Sequence, residues 1–195
     1  MCAWSPLLGE TMGLDMYLTK KTYVKNWSFT PEDEQFSVSV NRGGEKYEQI
    51  DTSRITVIEE EVIYWRKANA IHKYFVDIVQ NGEDDCGTHR VNRVWIKDLV
   101  ERCERVLALG VVQGPCHRGT VYQGGAVTKQ VEEGSVCADP TEASYILPTT
   151  DGFFFGSTDY DEGYLDDLRR TVCILKPLLD VKDESVSEFY YHSSW

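Results

Sequence analysis

Three β-type segments follow one another before any helical pattern begins, and this order constrains the fold more than any other feature of the chain. Leu14, Met16 and Leu18 recur every second residue and run on into Lys20-Lys21-Thr22-Tyr23-Val24, the signature of a long strand with one apolar face and with Asp15 and Tyr17 on the other. Residues 35–41 alternate again, Phe36, Val38 and Val40 against Ser37 and Ser39, and lead to the turn signal Gly43-Gly44. A third run is Ile55-Thr56-Val57-Ile58. Polar loops without a helix join these runs, so antiparallel pairing is expected in place of a strand-helix-strand crossover.

From residue 60 to 81 the period changes to 3.6, with Tyr64, Ala68, Ile71, Phe75, Ile78 and Val79 on one face and Gly82 at the stop position. Asn92 can cap a second helix that carries Leu99, Val100, Cys103, Val106 and Leu107 and ends near Gly110. A third helix follows Thr158-Asp159, where Asp159 and Glu162 stand at capping-box spacing; Leu165, Leu168, Val172, Leu175 and Leu179 form its buried stripe, and Pro177 kinks or ends it. Residues 118–123 and 126–131 about Gly124-Gly125 read as a β-hairpin, and Glu188-Phe189-Tyr190-Tyr191 as a closing aromatic strand. The expected fold is α+β: an antiparallel sheet of about four to six strands with three helices on one face. A single domain spans 12–195, with residues 111–140 as a Gly-rich hairpin arm; residues 1–11 read as a disordered extension without the basic and apolar regions of a signal peptide.

A length of 195 residues, 42% hydrophobic, suits one domain with a real core. The 20 Lys and Arg against 32 Asp and Glu leave a net charge of −12, which repels polyphosphate and argues against direct, nonspecific nucleic-acid binding. No run of roughly 18 apolar residues is available to span a membrane. Six irregularly spaced cysteines fit reduced thiols of a cytoplasmic protein better than a disulfide framework.

No catalytic motif of high specificity is present. The most informative local pattern is a stripe between the apolar and charged faces of the first helix: Trp65, Asn69, His72 and Val76 at i, i+4, i+7 and i+11, flanked by the cations Arg66 and Lys73. Such a stripe can wall a pocket, with Trp65 as a stacking platform and Asn69 and His72 as orienting groups; the same residues can equally pack beneath a loop. A second constellation is residues 151–161, where three phenylalanines read as a buried strand and Gly156-Ser157-Thr158 lead into a helix N-terminus able to receive an anion. Asp159, Asp161 and Glu162 already place negative charge there, so Ser157 and Thr158 have helix capping as their simpler role. Cys86-x-x-His89, Cys116-His117 and Cys137 offer metal-ligand chemistry at loose spacing, which ordinary small cysteines also explain. Acidic clusters at 59–61, 83–85, 159–167 and 180–188 are solvated faces or, brought together, a mimic of a phosphate backbone toward a basic protein. The terminal Trp195 either plugs the core or lines a site.

The blocks Gly13-Leu14-Asp15-Met16-Tyr17-Leu18, Tyr23-Val24-Lys25-Asn26-Trp27, Tyr64-Trp65-Arg66-Lys67-Ala68-Asn69-Ala70-Ile71-His72-Lys73, Phe154-Phe155-Gly156-Ser157-Thr158-Asp159-Tyr160-Asp161 and Tyr190-Tyr191-His192-Ser193-Ser194-Trp195 resemble a family of small bacteriophage and prophage proteins. The resemblance implies no activity, cofactor or catalytic residue; it implies a protein that acts on host machinery or host defence. The expectation is therefore a non-catalytic protein without a cofactor, binding a small, nucleotide-type ligand with Trp65, Asn69, His72, Arg66, Lys73, Asp15, Tyr17, Ser157, Thr158 and Trp195. An acidic inhibitor of a basic host surface, or a small hydrolase or transferase, are the alternatives. The hairpin arm and the apolar terminus also suit a homo-oligomer.

Overall fold

The computed structural model describes residues 13–123, 126–152, 155–180 and 186–195, with backbone alone over 117–129. Phe153, Phe154, Gly124, Gly125 and the expected extension at 1–11 lie outside the described residues. The strands are β1 (Asp15–Tyr23), β2 (Asn41–Arg42), β3 (Glu45–Lys46), β4 (Val57–Arg66), β5 (Thr88–Val91), β6 (Val111–Gln123), β7 (Ala126–Cys137) and β8 (Ser187–Ser194). The helices are α1 (Asn69–Ile78), α2 (Arg93–Leu107), α3 (Pro140–Ile146) and α4 (Glu162–Leu179).

An antiparallel sheet in the order β4-β1-β8-β5 carries the α+β fold. Its registers bring Met16 beside Trp65 and Ser193, Leu18 beside Ile63 and Tyr191, and Phe189 beside Val91. All of these are buried, so one sheet face is a continuous apolar layer. The helices cover that face: Phe75 of α1 stacks on Tyr191 at 4.1 Å, the Trp65 indole donates to Thr171 Oγ1 of α4 at 2.8 Å, and Tyr74 of α1 donates to Asp98 of α2. The opposite face holds Asp15, Tyr17, Tyr64, Tyr190 and His192, partly open to water.

Several elements differ from expectation. The helix expected over 60–81 is a strand as far as Arg66 and a helix only from Asn69. Residues 57–66 pair with β1 so that Lys21 faces Glu59 and Lys20 faces Glu60, while Ile63 and Trp65 turn inward with period two. Lys67, at φ 59°, makes the corner between strand and helix. The strand expected over 35–41 forms only at its end, where β2 and β3 close around Gly43-Gly44; residues 35–40 find no partner strand. α4 starts at Glu162 with Asp161 as its cap, two residues past the expected Asp159, because the Asp161 carboxylate accepts from both Gly163 N and Tyr164 N. No strand precedes it among the described residues of 151–161. Asn92 caps α2 as expected, accepting from Val94 N. The arm is a longer hairpin than expected, paired from Val111↔Cys137 to Gln123↔Ala126, and α3, to which the sequence reading assigns no element, follows it with Asp139 accepting from Glu142 N. Among the described residues four α-helices are present where three were expected.

Candidate functional site

The corner at Lys67 governs the site. Leaving β4, the chain turns through Lys67 into α1, and Gly156, at φ 90°, packs directly against it: a Cβ on Gly156 would lie 3.2 Å from Lys67 Cβ and 3.3 Å from its carbonyl oxygen. A non-glycine residue in the left-handed region is sparsely populated and is held there only by its surroundings. Asn69 supplies much of that hold. Its Nδ2 donates to the carbonyls of Ser157 (2.6 Å) and Phe155 (3.1 Å), and its Oδ1 accepts from Thr150 N, which ties the loop over 149–158 to the first turn of α1.

Between this corner and the start of α4 lies a cleft of about 250 Å³, walled by Lys67–Ile71, Gly156, Ser157, Asp161, Tyr164, Asp167 and Leu168, with Arg66 at its rim. Two features distinguish it. The N-cap of α1 is Ala68, whose side chain cannot accept a hydrogen bond, so the first-turn amides carry the positive end of the helix dipole without a side-chain partner. Opposite stands Asp167, which makes no side-chain hydrogen bond to a described residue. Burial pushes its carboxyl up to about 7, with Arg170 opposing and Asp166 and Asp161 adding to the rise. A carboxyl at about 7 is about half-ionised at neutral pH, and its protonated fraction can donate a hydrogen bond. Asp161 is buried and its Oδ1 caps α4, and Ser157 Oγ accepts from Asp159 N, which leaves the Ser157 hydroxyl hydrogen to point elsewhere.

A larger hollow of about 430 Å³ lies at the far end of the sheet. Its charged side chains are already engaged: Lys20 with Glu60, Arg90 with Glu188 and Arg93 with the Leu178 carbonyl. We therefore take the smaller cleft, with its uncommitted acid and helix end, as the candidate site.

The stripe expected on one helix face does not exist, because Trp65 belongs to β4 and is sealed in the core on Thr171. His72 is sealed as well: Nδ1 meets the Tyr191 hydroxyl at 2.8 Å and Nε2 meets Asp84 at 2.9 Å. Trp195 donates to the same Asp84 oxygen at 2.7 Å and lies edge-on to Phe155, closing the pair from outside. Burial pushes the Asp84 carboxyl up, but hydrogen bonds from His72 and Trp195 outweigh it and hold the group below the usual carboxylate range. Both ring nitrogens of His72 and Asp84 Oδ2 are engaged, Asp84 Oδ1 is buried without a hydrogen-bond partner, and Tyr191 has no surface to offer a substrate.

Of the expected residues, Asn69, Ser157 and Arg66 come together at the cleft, with the Arg66 side chain on the sheet face shared with Asp15. Lys73 lies on the exposed side of α1, paired with Asp77. Asp15 accepts from the Tyr64 hydroxyl and Tyr17 stacks between Tyr64 and His192, all on the open sheet face. Thr158 accepts from Thr149 Oγ1 through its carbonyl and does not line the cleft. Lys67 and Asp167 were missed. A signal for Asp167 exists, since it falls on the helical line from Tyr164 to Thr171, an acid on an otherwise buried stripe.

Among the described residues, Cys86, Cys103, Cys116, Cys137 and Cys173 form no disulfide, and burial pushes the Cys103 thiol far above its ordinary value. Among the described residues no three His, Cys, Asp or Glu side chains gather as metal ligands, and no helix is long and apolar enough to cross a membrane. Comparison with protein-family models, with curated proteins and with solved structures finds no match, so the site's own chemistry carries the functional argument.

Proposed function

We propose that the protein is a non-catalytic binder of a small anion-bearing molecule, whose charged group enters the cleft between the first turn of α1 and Asp167. What supports this most directly is geometry: the N-terminus of α1, which has no side-chain cap, and the half-buried Asp167 carboxyl line one cleft, and burial raises that carboxyl to about 7. The α1 amides and Lys67 supply positive potential, and protonated Asp167 and the Ser157 hydroxyl donate hydrogen bonds to the ligand's oxygens. At about 250 Å³ the cleft is below the ~300–1,000 Å³ of sites that enclose a drug-sized ligand, so it takes one phosphate or carboxylate group and leaves the rest outside. A nucleotide-type ligand falls in this class. The resemblance to bacteriophage proteins sets such a binder against host machinery or defence.

Calorimetry with inorganic phosphate, AMP and citrate tests the reading. Between pH 6 and pH 8 the unmodified protein should lose severalfold more affinity than Asp167→Asn, whose remaining dependence is the ligand's own ionisation, and mass spectrometry should recover the ligand unchanged. A site that takes up amines more tightly as pH rises, that converts the ligand, or that ignores all three anions refutes it.

A further inference from the structure

No residue from 25 to 62 is buried, although the chain there forms turns, a short helical segment at Glu32–Glu34 and the β2–β3 hairpin. Within this excursion one loop is tightly organised. Asn26 closes it by bonding the Phe36 backbone twice, accepting from Phe36 N at 2.9 Å and donating to its carbonyl at 2.8 Å. Trp27 N donates to Thr30 Oγ1 and Gln35 donates to the Thr30 carbonyl. The loop so fixed presents Trp27, 54% exposed, stacked on Phe29, 80% exposed, with Lys25 Nζ 4.0 Å from the indole centroid. Large aromatics set outward on an ordered loop are the composition of an interface anchor.

We propose that this loop docks on a protein partner that presents an apolar pocket rimmed by lysine or arginine. Charge decides the class of occupant. Residues 25–61 contain nine acidic and four basic side chains, with Glu32-Asp33-Glu34 next to the aromatic pair, and the whole chain carries −12. A second copy would set like charge against like, and nucleic acid would do the same. A basic protein surface satisfies both the aromatic anchors and the acidic rim.

The test replaces Phe29 by photoreactive benzoyl-phenylalanine in the full chain, irradiates it in a bacterial lysate and maps the adduct by mass spectrometry. The expected adduct is with another protein, at a peptide rich in Lys or Arg. The mapped partner should bind the unmodified chain at least tenfold more weakly after Phe29→Ser, and severalfold more weakly after joint Glu32→Gln, Asp33→Asn and Glu34→Gln, with unchanged melting temperatures because all four side chains are exposed. An adduct within the chain, between two copies, to nucleic acid or to an acidic peptide overturns the proposal. So does the absence of any adduct, or a partner indifferent to Phe29→Ser.

Discussion

Replacing Asp167 by asparagine should stabilise the protein in a pH-dependent way. The folded carboxyl is held at about 7 against an ordinary 3.8, so between those values the folded state keeps a proton that the unfolded state has already released. Stability therefore falls as pH rises through this window, and the full penalty is present above about pH 7. The gap between 3.8 and about 7 corresponds to about 4 kcal/mol. Water entering the cleft screens the charge and lowers the realised penalty to about 2 kcal/mol. Asparagine keeps the shape and removes the charge, so Asp167→Asn should melt about 4–8 °C higher at pH 8 in differential scanning calorimetry. At pH 5, where only the first part of the window has been crossed, the gain should be roughly a third as large. An equal gain at both pH values, or a loss at pH 8, would refute the claim that burial holds this carboxyl neutral.

Three further outcomes follow from the same packing. Gly156→Ala adds a methyl 3.2 Å from Lys67 Cβ at a φ of 90°, and should lower stability by about 2 kcal/mol in urea titration; Gly82→Ala, at φ 85° with open space around it, should lose only about 1 kcal/mol. Asn69→Ala strips partners from the Phe155 and Ser157 carbonyls and Thr150 N, and should destabilise by about 2–3 kcal/mol while hydrogen exchange at Thr150 accelerates. Asp84→Asn should remove about 1–2 kcal/mol at pH 7 and shift Trp195 fluorescence. Because the folded Asp84 value is depressed, its contribution is present above 3.8 and lost as pH falls further, so the two proteins should converge in acid; persistence of the full gap there would contradict the assignment.

Where a signal is local, the amino-acid order alone was enough. The period-two run at Leu14, Met16 and Leu18 makes β1, Asn92 caps α2, Gly43-Gly44 turns β2 into β3, and the Leu165, Leu168 and Leu175 spacing buries α4. Residues 60–66 show what local signals leave undecided. Tyr64, Ala68, Ile71 and Phe75 fit a helical repeat, yet Ile63 and Trp65 fit a strand, and only pairing with β1 chooses between them. Alternation over 35–40 went unused for the converse reason: no neighbouring strand was there to take its hydrogen bonds. Asn69, Ser157 and Arg66 were legible as candidates, but the cleft and the role of Asp167 belong to tertiary structure, because an aspartate acquires an unusual proton affinity only when the start of α1 and residues 156–157 pack near it and reduce its hydration.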